Sequence, residues 1–160
     1  MNTLRRIDRK TSDADAMRIL QDSLYGTLAT VNEDGSPYCV PMSHVVWNGA
    51  LYFHCARAGQ KLENVRRDAR AFYSCVLDVQ ILGPEFSMKY SSCAVEGRVE
   101  IVTDEAEREG AMRALCEKYC AGHVDTPAYH RTMGVMPAVV MLRMSLDEIC
   151  GKANKGKLSD

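Results

Sequence analysis

Residues 26–55 read GTLATVNEDGSPYCVPMSHVVWNGALYFHC, and this stretch carries the clearest information about the fold. It contains three runs rich in apolar, β-branched and aromatic residues, which are typical of strands. The first connection carries Asp34-Gly35 at its tip, and the second is Asn48-Gly49. Because these dipeptides favour tight hairpin turns, consecutive strands are expected to pair antiparallel. Direct connections of this kind disfavour a doubly wound fold, in which helices separate parallel strands.

The rest of the chain places further strands and helices around these hairpins. We predict six strands and three helices, an α+β, mainly β, architecture with a small antiparallel barrel or sheet and helices packed outside. One helix begins after Ser12 or Asp13, and two polar connections cover residues 83–92 and 121–134. The other predicted helices are residues 59–68 and 103–120, and the predicted strands are residues 24–31, 38–47, 50–55, 71–82, 93–103 and 136–150.

The composition fits one folded domain without a large field of one charge. We assign the domain to residues 1–152 of the 160, with a polar C-terminal tail at residues 153–160. The 20 basic and 21 acidic residues nearly balance, so we expect no nucleic-acid partner. No apolar run approaches the roughly 20 residues that cross a bilayer, and the N-terminus lacks an apolar signal segment. We therefore expect a cytoplasmic protein without a membrane partner.

Seven cysteines are present, an odd number without a C-x-x-C pair. Several lie in strand-like apolar runs, where a cysteine behaves as a small hydrophobic residue, so free thiols are expected. Cys116, Cys120 and His123 have a spacing that could offer ligands to zinc, with His130 further along. The usual spacings of structural zinc sites are absent, however, and packing is the simpler interpretation. We predict no metal site.

Residues 51–67, LYFHCARAGQKLENVRR, run from a buried strand into the start of a helix. Gly59 would allow the backbone to approach a ligand closely, and Lys61 adds a cation in the first helical turn. A cation is mildly unfavourable there unless an anion lies nearby, since helix starts carry partial positive charge. The pattern leaves two interpretations open, a solvated lysine on a linker helix or a phosphate site.

The second strand contains VPMSH at residues 40–44. Pro41 cannot donate to a strand ladder, which points to an edge, a bulge or a ligand-facing segment. Ser43 and His44 could present polar groups to a flat ligand, or could form the polar face of an exposed edge strand. No G-x-S-x-G occurs and no cysteine has a helix-start context that would favour its thiolate, so a Ser-His-Asp or Cys-His hydrolase is disfavoured. The nucleotide-binding motifs G-x-x-x-x-G-K-[ST] and G-x-G-x-x-G are absent as well.

The order of these elements resembles the FMN-binding split-barrel proteins related to pyridoxamine 5'-phosphate oxidase, and most closely the Nim-type, nitroimidazole-resistance-like flavoproteins. The resemblance covers most of residues 5–152. It rests on the P-x-x-x-P-x-S step, the LYFH strand, the A-x-x-G-x-K loop and the E-G-R strand before an acid-started helix. It implies a six-stranded antiparallel split β-barrel with flanking helices. It also implies a homodimer with FMN at the subunit interface, which reduces a small electron-poor acceptor.

The same resemblance implies the site residues. Gln60 and Lys61 would hold the phosphate, and His54 is the catalytic candidate, which would polarise the acceptor or donate a proton. The residues implied to bind the flavin are Val40, Met42, Ser43, His44, His54, Cys55, Ala56, Gln60, Lys61, Tyr90 and Ser92.

Two departures argue against oxidation of pyridoxamine phosphate. Val40 and Met42 stand in the second strand where those oxidases carry cations, and their C-terminal substrate-binding segment has no clear equivalent. Pyridoxamine-phosphate oxidase-like activity stays one alternative. Another is a flavin- or haem-binding dimer without turnover, since one fold can host several functions. The possible axial haem ligands are His44, His54, His123 and His130.

Overall fold

The computed structural model describes residues 4–156, except for the side chain of Pro137. Within that range the chain forms four α-helices and eight β-strands, joined in part by short 3-10 turns. The helices are α1 (Asp13–Asp22), α2 (Gln60–Arg67), α3 (Glu105–Tyr119) and α4 (Pro127–Gly134). The strands are β1 (Gly26–Val31), β2 (Pro37–Met42), β3 (Val45–Trp47), β4 (Ala50–Ala56), β5 (Arg70–Leu82), β6 (Ser87–Ile101), β7 (Val139–Met144) and β8 (Glu148–Asn154).

All the strand pairs are antiparallel, in the order β2-β1-β5-β6-β7-β4-β3, and β8 pairs with β6. The long strand β6 pairs with β5 and β8 over most of its length, and its last residues pair with β7. The two ends of the order, β2 and β3, are joined through Ser43 and His44. The antiparallel α+β architecture is therefore confirmed, whereas closure into a six-stranded barrel stays a prediction.

Three predicted strand boundaries were wrong. The predicted second strand is divided into β2 and β3, and the predicted final strand is divided into β7 and β8. The second division occurs because the turn after β7 hydrogen-bonds to β6, with Ser145 N donating to Arg98 O at 3.0 Å. Residues 87–92, predicted as a connection, belong to β6. The strand pattern of these residues is weak because this part of the β5–β6 hairpin extends beyond the core and exposes apolar side chains.

The predicted connection at residues 121–134 also contains an unpredicted helix, α4. Thr126 caps it, since its Oγ1 accepts from Tyr129 N at 3.3 Å, and Pro127 occupies the first turn. No residue of α4 is buried, so the apolar periodicity that identifies a core helix is absent. At the C-terminus, β8 continues through Asn154 into the predicted polar tail, and residues 157–160 lie outside the described part.

Two buried clusters form the core. The larger lies between the strands and α1, and includes Leu28, Phe53 and Tyr73. The smaller lies beneath α3, where Leu115 and Met141 are buried. Burial of each large apolar side chain contributes about 1.5–3 kcal/mol, so these clusters fix the strands that carry the candidate site. Among the helices of residues 4–156, none has both the length and the apolar composition of a membrane-spanning segment.

Candidate functional site

The C-terminal end of β4 presents one face to the surface. His54 and Ala56 are exposed while Cys55 between them is buried, because successive strand residues point to opposite faces. The backbone of His54 pairs with Met141 on β7, which fixes its position in the sheet. The chain then passes through Arg57, which is exposed, into the start of α2. The structure thus brings His54, Ala56 and the predicted phosphate loop together.

The start of α2 is open to a ligand. Gly59 precedes it with φ 132°, a conformation that strongly favours glycine, and no side chain caps the helix. Gln60 donates to Asn64 Oδ1 at 3.0 Å within the helix instead. In the described part of the chain, neither Arg57 nor Lys61 forms a hydrogen bond or an ion pair. Two cations and uncapped backbone donors are suited to an anionic phosphate.

Buried polar contacts attach α2 to the end of β1. Asn64 is fully buried, and its amide donates to Thr30 Oγ1 at 3.1 Å and to Asn32 Oδ1 at 3.0 Å. Arg67 also donates to the carbonyl of Val31. Because buried amides are costly to leave unpaired, these bonds hold the helix start in place. The loop is therefore positioned before any ligand binds.

In the second strand, the side chains predicted to contact flavin face the core. Val40 is half-buried against the large core cluster and Met42 is buried, so little of either side chain is available to a surface ligand. Pro41 points outward on β2, which lies at one end of the strand order, where a missing donor is tolerated. Ser43, exposed at the corner between β2 and β3, is the residue of this group whose side chain faces outward.

His44 is fully buried and both ring nitrogens have partners. Nε2 lies 2.6 Å from the carbonyl of Leu20, which can only accept, so Nε2 carries the proton. Nδ1 accepts from the Tyr73 hydroxyl at 2.7 Å. Burial lowers the pKa of His44 to about 4, so the ring is neutral at physiological pH. Its predicted side-chain contact with flavin and its role as an axial haem ligand are both disfavoured by this burial.

Helix α3 fixes the same corner from outside. The Tyr119 hydroxyl accepts from His44 N at 2.9 Å and lies 2.5 Å from the Leu24 carbonyl. Lys118 donates to the Ser23 carbonyl at 2.8 Å, and its Nζ is 3.4 Å from His44 Nε2. Burial lowers the pKa of Lys118 to about 8. These bonds set the position of Ser43 and His44 relative to α3.

A cavity of about 440 Å³ lies beside this corner, between α3, α4 and the strands. Its walls are mostly apolar, and the predicted site residues Ser43 and His54 are among them. Its lining residues are Ser43, His54, Met112, Leu115, Cys116, Tyr119, Cys120, Thr132, Val135, Met136 and Val139. The cavity therefore brings together two residues that are distant in the sequence, and adds helices that the sequence prediction did not include in the site.

Tyr90 and Ser92 lie elsewhere in the same chain. Both are in the part of β6 between β5 and β8, where Ser92 Oγ donates to the Lys152 carbonyl at 3.2 Å. The Lys152 ammonium lies 5.9 Å from the centre of the Tyr90 ring. Neither residue lines the cavity with His54. The structure therefore does not join these two to the other predicted flavin contacts.

The cysteines provide no metal centre among residues 4–156, where no cluster of three or more His, Cys, Asp or Glu could hold an ion. All seven cysteines are free thiols. Cys116 and Cys120 line the apolar cavity instead. Burial raises the pKa of Cys116, which keeps its thiol neutral.

Sequence reasoning missed several residues that shape the site. Arg57 was visible as a cation in the ARAGQK run, but it was not assigned a role. The cap and proline at Thr126-Pro127 could have identified α4 and hence the cavity wall. Tyr119 had no such signal, because its bonds to Leu24 and His44 span 95 and 75 residues.

The comparison with family models identifies the class of protein to which this antiparallel α+β fold belongs. A model described as pyridoxamine 5'-phosphate oxidase matches residues 12–153, so the chain belongs to the pyridoxamine 5'-phosphate oxidase-like family. No match is found among curated proteins.

Solved structures with the same fold include flavin-binding proteins. A protein from Bacteroides thetaiotaomicron, provisionally described as a 5-nitroimidazole antibiotic resistance protein, has a TM-score of 0.76 at 21% identity, covering 89% of this chain and 84% of that chain. An FAD-binding protein from Mesorhizobium loti has a TM-score of 0.70 at 21% identity, covering 92% of this chain and 98% of that chain. An FAD and haem binding protein from Mycobacterium smegmatis has a TM-score of 0.76 at 21% identity, covering 95% of this chain and 76% of that chain. At these identities the likeness establishes the fold alone.

Proposed function

We propose that this protein binds FMN and is an oxidoreductase that reduces a small electron-poor acceptor, as a nitroimidazole reductase would. One observation carries the proposal: the uncapped start of α2 holds two cations, Arg57 and Lys61, without partners in the described chain, next to the exposed His54. A phosphate matches this arrangement in charge and in donor geometry. The membership of the pyridoxamine 5'-phosphate oxidase-like family supports a flavin phosphate as that group.

Each residue has a distinct task in this proposal. Lys61, Arg57 and the first backbone N–H groups of α2 bind the phosphate, and the outer face of β4 orients the flavin along Ala56 and His54. Bound FMN supplies the electron transfer, while the protein sets its orientation and surroundings. His54 has no hydrogen-bond partner among residues 4–156. Its ring holds a proton beside the acceptor or donates that proton to it. Cys55 supports this face from the core side, since its side chain is buried.

The proposal also includes a homodimer of six-stranded split barrels with FMN at the interface. Tyr90 and Ser92 lie on β6 between β5 and β8, whereas His54 lies on β4 beside β7, so their predicted flavin contacts would be made to the FMN bound by a second copy. Exposed apolar side chains on the β5–β6 hairpin, among them Val79 and Ile81, supply surface that a second copy can bury.

The principal alternative is a flavin- or haem-holding protein without turnover. It is favoured by the structural likeness to an FAD and haem binding protein, and by the single exposed histidine, His54, at the cavity. Pyridoxamine-phosphate oxidase-like activity has less support, because the side chains of Val40 and Met42 face the core rather than a phosphorylated substrate.

An absorbance spectrum of the purified protein tests the proposal. We expect a flavin spectrum that bleaches on anaerobic reduction with dithionite and returns when a nitroaromatic acceptor is added. A flavin spectrum that no acceptor restores would support the alternative without turnover. A Soret band would point to haem, and a colourless protein that takes up no added FMN would contradict the proposal.

A further inference from the structure

The cavity between α3 and α4 has the dimensions and walls of a small-molecule site. Its volume of about 440 Å³ lies within the range of roughly 300–1,000 Å³ that is usual for such sites. Leu115 and Val135 are aliphatic, and Met112, Met136 and Cys116 present sulfur. Polarisable sulfur groups make favourable contacts with aromatic rings, so this lining suits a flat aromatic ligand.

The lining contains no charged Lys, Arg, Asp or Glu side chain that could pair with an ionic ligand. Arg108, which lies behind the wall, donates to the carbonyls of Met136 and Val139 at 3.1 and 3.2 Å. Lys118 on α3 donates to the Ser23 carbonyl instead. A carboxylate or phosphate entering the cavity would lose hydration with no Lys or Arg of the lining to replace it, which is unfavourable.

One polar side chain of the lining is left for a ligand. Tyr119 bonds to backbone groups at the corner and to Ser43, and Thr132 Oγ1 donates to the Ala128 carbonyl at 3.1 Å. His54 has no such partner among residues 4–156. We propose that this cavity binds a small uncharged aromatic molecule, which His54 orients through a single hydrogen bond. One part of this proposal rests on the proposed function: under that function, the molecule bound in the cavity is the electron acceptor.

Methionine methyl groups provide a probe that needs neither flavin nor turnover. Met112 and Met136 line the cavity, whereas Met88 is 42% exposed on the β5–β6 hairpin and serves as the internal control. The protein is labelled with [methyl-¹³C]methionine and titrated with nitrobenzene, 4-nitrobenzoate and 4-nitrophenyl phosphate. We expect nitrobenzene to shift the Met112 and Met136 signals saturably and to leave Met88 unchanged. Both charged analogues should bind at least about tenfold more weakly.

Two variants block the cavity and one tests specificity. Cys116→Trp fills the space, and Val135→Trp does so from a 58% exposed position that core packing does not constrain. Both should abolish the nitrobenzene shifts, while Ala121→Trp, at an exposed residue outside the lining, should retain them. Equal binding of all three probes, or unchanged shifts in Val135→Trp, would overturn the proposal.

A separate FMN titration distinguishes this inference from the proposed function. If FMN binds but nitrobenzene leaves Met112 and Met136 unchanged, the cavity proposal alone fails. If nitrobenzene binds and FMN does not, the proposed function fails and the cavity proposal stands. If FMN shifts both signals and competes with nitrobenzene, the cavity is the flavin site and the inference is wrong.

Discussion

His54 is the exposed residue of β4 that borders the cavity and lacks a partner in the described chain. We predict that His54→Ala still binds FMN, because the phosphate contacts lie at Lys61 and Arg57. Loss of a positioned proton donor should slow acceptor reduction by about 100-fold or more. Stopped-flow reoxidation of the reduced protein measures this rate. His123→Ala, at an exposed histidine outside the cavity, is the control, and equal rates in all three proteins would leave His54 with a packing role only.

His44, unlike His54, is buried, and it should determine how the free energy of unfolding falls at acid pH. The pKa of His44 is about 4 in the folded protein, below its ordinary value of 6.5. Between these two pH values, His44 is protonated in the unfolded chain and neutral in the folded chain. The stability due to neutral His44 is therefore complete above pH 6.5 and is lost as the pH falls toward 4. The loss should be about 3 kcal/mol in the free energy of unfolding.

Urea unfolding of the wild type and His44→Gln at pH 7 and pH 4.5 tests this effect. The variant should be less stable at pH 7, since it disrupts the hydrogen bonds of His44 with the Leu20 carbonyl and the Tyr73 hydroxyl. The difference between the two proteins should shrink at pH 4.5. A difference that stays constant with pH would show that His44 does not titrate in this way.

At this scale the sequence predicts the residue types of the site but not their surroundings. His44 and His54 both lie in strand-like runs, and only the fold separates a buried ring from an exposed one. The partners of His44, Leu20 and Tyr73, are 24 and 29 residues away. No local pattern encodes contacts of that range.

At the scale of elements, Gly97 marks the point where β6 leaves β8 and meets β7. A Cβ at this position would lie 2.0 Å from the Ser145 carbonyl oxygen, in the turn that binds Arg98 through Ser145 Oγ at 2.9 Å. Gly97→Ala should therefore displace this turn and destabilise the protein by about 1–3 kcal/mol. Gly83→Ala is the matched control, since a Cβ there meets no atom within 4 Å. Chemical denaturation compares the stabilities of the two variants. Equal stabilities would contradict the close contact between Gly97 and the turn at Ser145.

The hairpins were predictable because their turns carry a local signal. Asn48 and Gly49 have φ of 45° and 73°, the left-handed values that a two-residue hairpin requires, and Asn-Gly is favoured for this reason. Residues 87–92 of β6 and helix α4 were missed, because neither buries a periodic apolar face. Hydrophobic periodicity reports burial in the core, and elements outside it give little of this signal.

For the molecule as a whole, the β5–β6 hairpin provides the surface most suited to a second copy. Ile81 and Met88 are direct cross-strand partners and are 77% and 42% exposed. We predict that the wild type is a dimer and that Ile81→Lys shifts it toward the monomer, with weaker FMN binding. Light scattering after size-exclusion chromatography measures the mass. Ile7→Lys is the control at another exposed isoleucine, and a monomeric wild type would contradict the proposed interface.

Flavin binding by this protein depends first on the phosphate site proposed at the start of α2, and paired flavin titrations separate that contact from the rest of the flavin. FMN and riboflavin differ only in the phosphate, so their affinities for the wild type and for Lys61→Ala isolate that contact. A charge-assisted hydrogen bond contributes about 1.5–3 kcal/mol, so the wild type should prefer FMN by at least about tenfold. Lys61→Ala should lose part of this preference, because Arg57 and the backbone N–H groups of α2 remain, while its riboflavin affinity stays unchanged. Equal affinity of the wild type for both flavins, or an unchanged preference in Lys61→Ala, would show that Lys61 at the start of α2 does not bind the flavin phosphate.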